Sequence, residues 1–146
     1  MGSIFRIIAA VLAGMLVAMG VITGIEWINS MLYPIPPGLD PHNPAHVKVF
    51  AAQLPLTAFL VILCGWALGT LAGSFVATRV GPDRRIGPGI VIGAILLSSS
   101  VAIMRMIPHP SFMWVGAFVI FPLCTYLGVM LGRGREAKGE AAGKLF

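Results

Sequence analysis

The sequence predicts an all-α membrane protein, a four-helix transmembrane bundle of antiparallel up-down helices, and three observations lead there. Hydrophobic residues make up 58% of the 146 residues and charged residues only 10%, whereas about a quarter of a soluble domain is charged. Four stretches, 4–25, 55–78, 88–107 and 112–131, are as apolar and as long as the roughly 20 residues needed to cross about 30 Å of hydrocarbon. The basic residues then fall mostly on one side of the alternating spans. The reading is a single transmembrane domain, 1–132, followed by a polar, basic tail, 133–146, that is expected to be disordered.

The first span is apolar for 19 residues from Ile7 to Ile25, longer than the about 7–15 residues of a secretory signal, and no small-x-small cleavage site follows. Arg6 stands where a myristoylation motif after Gly2 needs Ser or Thr. The first helix is therefore read as retained and unmodified. Of the ten Lys and Arg residues, eight (Arg6, Arg79, Arg84, Arg85, Arg133, Arg135, Lys138 and Lys144) share one side if four helices alternate, and Lys48 and Arg105 take the other. Short basic flanks are retained in the cytoplasm, so both termini are expected there, in a bacterial inner membrane. Trp27, Tyr33, Phe112 and Trp114 then sit at the outer interface, where amphipathic rings anchor helices.

The outer loop, 33–53, carries Pro34, Pro36, Pro37, Pro41 and Pro44, five of the eleven prolines, so its first part cannot be helical. Asn43 reads as an N-cap with Pro44 at the first helical position. Val47, Phe50, Ala51 and Leu54 follow at helical spacing, which predicts a short interfacial helix before the second span. The inner turn from Gly81 to Pro88 is short and rich in breakers, making the second and third spans antiparallel neighbours. The outer turn around Pro108, His109 and Pro110 is shorter still. Shifting the chain by 59 positions superposes Ala58-Phe59 on Ala117-Phe118 and Leu68-Gly69 on Leu127-Gly128; shifting by 79 superposes Arg6-Ile7 on Arg85-Ile86. The two shifts differ by about the excess length of the first outer loop, which favours two tandem helical hairpins.

Small residues four apart let helix backbones approach in lipid, where close packing replaces the hydrophobic drive. Gly20 and Gly24, Gly89 and Gly93, and Gly128 and Gly132 have that spacing, and the second span carries a triple ridge, Gly65, Gly69 and Gly73. The ridge suits either a seam within the bundle or a homodimer seam. Among polar residues, Ser98, Ser99 and Ser100 lie near the middle of the third span and Trp66 near the middle of the second, where its indole N–H needs an acceptor. A serine hydroxyl or a backbone carbonyl would satisfy it; the alternative is a polar pocket for a small ligand or quinone headgroup. Pro122 removes a hydrogen bond from the fourth helix and predicts a kink. The middle thirds of the four spans hold no Asp, Glu, Lys, Arg or His, which argues against an ion-coupled transporter. Glu26 and Arg105 are the one acid and one base near the outer ends of the spans, at similar depth, and are expected to pair.

Cys64 and Cys124 lie deep in apolar helices without a CxxC spacing and read as buried structural thiols. The methionines read as packing material. His42, His46 and His109 are outside the spans, and because His42 precedes the Asn43 cap, His42 and His46 do not share a helix face, so no metal site is assigned. Nothing resembles a nucleophile with its base, a phosphate-cradling loop or a dinucleotide fingerprint, so no enzyme and no cofactor are expected. No folded basic module is present for nucleic acid.

Tyr33-Pro-x-Pro-x-Gly-Leu-Asp40, then Leu54-Pro55 and Gly65-Trp66-x-x-Gly69, resemble a pattern of small uncharacterised bacterial four-helix integral membrane proteins, from about Glu26 to Val80. The resemblance implies an inner-membrane location and no activity. Two functional classes follow: a non-catalytic accessory subunit or binder of a small ligand or partner, or a small channel or transporter working as a homodimer. A continuous polar path through Ser98, Ser99, Ser100, Thr70, Ser74 and Thr125 would favour the second. Beyond the lipid bilayer, a second copy or a larger membrane complex is the expected partner.

Overall fold

The computed structural model describes residues 2–107 and 109–134; most of the tail expected to be disordered lies outside them. The described residues form five α-helices: α1 (Gly2–Leu32), α2 (Pro44–Gln53), α3 (Leu56–Val80), α4 (Gly87–Met106) and α5 (Ser111–Arg133). A 3-10 turn, Pro82–Arg84, joins α3 to α4. Four of the helices are long and apolar enough to cross a membrane, and together they make an all-α, multi-pass, up-down bundle.

The central element is α3, which packs most extensively against α1 and α5 and also against α4. Small side chains decide this. A Cβ on Gly69 would come within 2.5 Å of Ile22 Cγ1 and 3.0 Å of the Ala18 carbonyl oxygen, and one on Gly73 within 2.8 Å of the Gly14 carbonyl oxygen. Gly65 meets Ile25 in the same way. The triple ridge is thus a seam between α1 and α3 inside one chain, with Gly14 and Ala18 as its other half. On the far side, Gly128 and Gly132 bring α5 against the Leu71 and Phe75 carbonyls of α3. Gly89 packs on Thr78, and Gly93 on Thr125, leaving no room for a side chain at either. Gly20 and Gly24 have nothing within 4 Å, so that pair takes no part in the seam.

Several polar groups in the interior are tied down locally, while Asn29 Oδ1 and Thr78 Oγ1 are buried without a partner. Thr70 and Thr125 donate to the carbonyls of Trp66 and Phe121, four residues earlier, at 2.6 Å each. Ser74 Oγ donates across the α3–α4 interface to the Gly89 carbonyl at 3.1 Å. At one end of the bundle, Asp83 and Arg84 hold left-handed conformations (φ 50° and 49°), and the Arg84 guanidinium donates to the Arg133 carbonyl at 3.3 Å. At the other end lies α2, begun as expected by Asn43, whose Oδ1 accepts from the Ala45 N–H at 3.0 Å. Its Val47, Phe50 and Ala51 turn inward while Lys48, Val49 and Gln53 stay exposed.

One element differs from the expectation in its length. α1 does not stop at Ile25 but continues to Leu32. The apolar criterion ended the span at Glu26, yet no residue that breaks a helix comes before Pro34. α5 runs on through Pro122, which lies on an exposed face. Cys64 also departs from its reading: it is exposed on the lipid-facing side of α3, whereas Cys124 is buried, because Gly65, Trp66 and Gly69 claim the packed face of that turn.

Candidate functional site

The seam between α1 and α3 sets the site. With Ile22 against Gly69 and Ile25 against Gly65, Glu26 is carried to the level of the upper half of α3. The indole N–H of Trp66 donates to its carboxylate. Trp66 is ten residues, about 15 Å, from the first residue of α3, so this carboxylate lies well within the length of the span, on a part of α1 that stays exposed. An acid therefore stands near mid-span, although it does not fall in the middle third of its own helix. The register decides this: Ile25 lies against Gly65 and Tyr33 meets Thr57, so the end of α1 is level with the start of α3 and the extra length of α1, about 46 Å in all, lies at the opposite end.

Two pockets meet at Glu26. The deeper, about 220 Å³, lies between α1 and α4 and is lined by Glu26, Trp66, Ser99 and Ser100, with Met19 and Phe121 in its walls. It exists because α1 and α4 touch little, and Trp66 fills the gap only in part, stacking at a tilt on Phe121 with ring centroids 5.7 Å apart. The second pocket, about 470 Å³, opens under α2 and is lined by Glu26, Asn29, Ser30, Tyr33, Phe50 and Leu54. Asn29 is 8% exposed, and its Oδ1 has no hydrogen-bond partner. The Tyr33 hydroxyl shares a 2.7 Å hydrogen bond with Thr57 Oγ1, fastening the end of α1 to the start of α3. Glu26, Asn29 and Tyr33 lie three and four residues apart and so share one face of α1.

Of the residues singled out in the sequence, Trp66, Ser99 and Ser100 come together with Glu26. Ser98 does not: it lines neither pocket and donates to the Ala94 carbonyl at 2.8 Å. Gly65 and Gly69 hold α1 in place beside the site, and Gly73 acts further down the seam. The Glu26–Arg105 pair is not formed. Glu26 takes its hydrogen bond from Trp66, while Arg105 is exposed and lines neither pocket. Similar depth along two helices did not place them on facing sides. Nor do Thr70, Ser74 and Thr125 extend the polar lining; each is buried in a helix contact and bonded to a backbone carbonyl. Trp66 is satisfied by a carboxylate rather than by a serine or a carbonyl. Sequence reasoning missed Asn29, whose signal was its spacing from Glu26 on a helix without breakers.

The histidines stand apart. His46 Nδ1 accepts the Asp40 N–H at 2.9 Å, and His109 Nδ1 pairs with the Ile107 carbonyl at 2.7 Å. Among the described residues no group of three or more His, Cys, Asp and Glu side chains is arranged to hold a metal ion. At the opposite end of the bundle a wider basin of about 610 Å³ is lined by Arg84, Arg85 and Arg133 with Ile7 and Val91.

Fold and site together define a class, a multi-pass helical membrane protein with a carboxylate-lined pocket between α1 and α4 at the depth of the spans. No protein-family model, no curated protein and no solved structure matches the chain.

Proposed function

We propose that this chain is a non-catalytic protein of a bacterial inner membrane that binds a small ligand, alone or as the accessory subunit of a larger complex. The observation that supports this most is that one carboxylate, Glu26, lines two pockets at once, joining an opening under α2 to a polar recess within the span. An ionisable side chain in the apolar layer is costly and is a functional position by default. Convergent polar groups in a mostly apolar recess are the usual form of a small-molecule site. Both termini face the cytoplasm in this reading, on the eight-to-two basic asymmetry, so the α2 end faces outward. The same features suit the small bacterial four-helix proteins whose Tyr33-to-Asp40 pattern this chain resembles.

The test is purification of the full chain in native lipid discs, with mass spectrometry of co-eluting small molecules. A molecule present with the unaltered protein and lost from Ser99→Leu, which fills the deeper pocket, is the expected result. Identical small-molecule profiles for the two would end the reading. A second reading, a homodimeric channel or transporter, draws on the unopposed Gly20 and Gly24 of α1, a spacing at which helices of two chains pack closely. Cysteine cross-linking at Gly24 in membranes tests it, and absence of a dimer band would count against it.

A further inference from the structure

We infer that the ligand of the joined pockets is a small organic cation, a protonated amine carried on an apolar or aromatic body. The inference rests on the ligand-binding reading above and adds the chemical class.

Charge comes first. Among the described residues, neither pocket is lined by Lys, Arg or His, and Arg105 is turned elsewhere. The Glu26 carboxylate thus stands in an apolar layer without a cation, where charged groups are ordinarily paired. Hydrogen-bonding capacity points the same way. The Trp66 N–H is already committed to Glu26. The Ser30 and Ser100 hydroxyls donate to the Trp27 and Leu97 carbonyls, at 2.7 and 2.8 Å, which leaves their oxygens as acceptors. Asn29 adds an Oδ1 with no partner. The Ser99 hydroxyl and the Asn29 amide N–H groups are the donors that remain, fewer than the oxygens of Glu26, Asn29 and the three serines, so the complementary molecule brings N–H groups and positive charge. An anion would meet Glu26 with like charge, whereas a cation lets the carboxylate ionise against a partner, which a neutral molecule does not supply.

The walls choose between kinds of cation. A bare metal ion takes six or more oxygen ligands in a closed shell, whereas these pockets set a few oxygens among Ile22, Ile95, Phe50 and Phe121. Aromatic faces at Trp66, Phe121 and Tyr33 attract organic ammonium groups. The ammonium would meet Glu26 at the junction, with its apolar body in either pocket.

The experiment uses the full chain in lipid discs at constant ionic strength, with thermal unfolding as the readout and three probes of similar size: phenethylammonium, 2-phenylethanol and 3-phenylpropanoate. The expected order of stabilisation is ammonium, then alcohol, then carboxylate. Glu26→Gln should weaken the ammonium response about tenfold in concentration, and Arg105→Gln should leave it unchanged. An ammonium response equal to that of the alcohol, or one unaffected by Glu26→Gln, would overturn the cation class. Should Glu26→Gln not fold, the order of the three probes on the unaltered chain decides alone. Equal binding of ammonium and alcohol that is lost in Ser99→Leu would leave ligand binding standing and remove only the cation. No response to any probe would remove both.

Discussion

Glu26 and Trp66 show how much one side-chain pair decides in a bilayer. Trp66 is 5% exposed, and its N–H has a single use, the Glu26 carboxylate. Trp66→Phe keeps the ring against Phe121 but removes the donor, so it should lower stability in detergent by about 0.5–1.5 kcal/mol, the net range for one hydrogen bond. The Glu26→Gln and Trp66→Phe losses should be non-additive, since both act on one bond, whereas Glu26→Gln and Arg105→Gln should add within about 0.5 kcal/mol. Chemical unfolding of the three single and two double variants measures both cycles; additivity in the first would show that the bond contributes nothing. The sequence marked Trp66 as needing an acceptor and Glu26 as an unusual acid. It did not join them, because helix rotation about its own axis is not readable from depth.

At the scale of elements, packing follows where side chains are missing. Gly69→Leu would drive a side chain into Ile22 and the Ala18 backbone and should destabilise by about 2–3 kcal/mol, the scale of overpacking. Gly20→Leu, on the open face of the same seam helix, should stay within about 0.5 kcal/mol. Equal melting points for the two variants in detergent would contradict the α1–α3 seam. The α2 helix rests on a local device instead. Asn43→Ala removes the cap on Ala45, worth about 1 kcal/mol, so amide exchange at Ala45 and His46 should speed up about fivefold. Unchanged exchange there would mean that the cap does not hold α2. Both devices were visible as residue patterns, the Gly65, Gly69 and Gly73 ridge and the Asn43-Pro44 start. Which helix the ridge would meet was not, since glycine spacing names a close contact without naming its partner.

For the whole molecule, four spans and an even number of crossings require both ends on one side of the membrane. Reporter fusions after Phe146 and within residues 36–40 should report opposite sides, with the C-terminal fusion cytoplasmic. Reports from the same side would contradict four crossings, and a reversed pair would contradict the orientation drawn from Arg79, Arg84, Arg85 and their neighbours. The length of α1 matters at this scale too. At about 46 Å it exceeds the apolar layer, and because Tyr33 meets Thr57 at the start of α3, its surplus lies at the other end, where Ile7 lines the basin of Arg84 and Arg85.

Read alone, the sequence determined the number of spans, the α2 start and the glycine faces. These depend on local quantities: the length of apolar runs, the geometry of Asn-Pro, and the absence of a Cβ. The tertiary structure decided which residues meet. It set the α1–α3 register through Ile22 on Gly69 and Ile25 on Gly65, continued α1 past Glu26, and so brought an acid from near a helix end to Trp66, Ser99 and Ser100. It also turned Arg105 and Ser98 away. Such meetings depend on the rotation and offset of each helix against its neighbours, and those are fixed by the sum of contacts along a whole seam rather than by any run of residues within one helix.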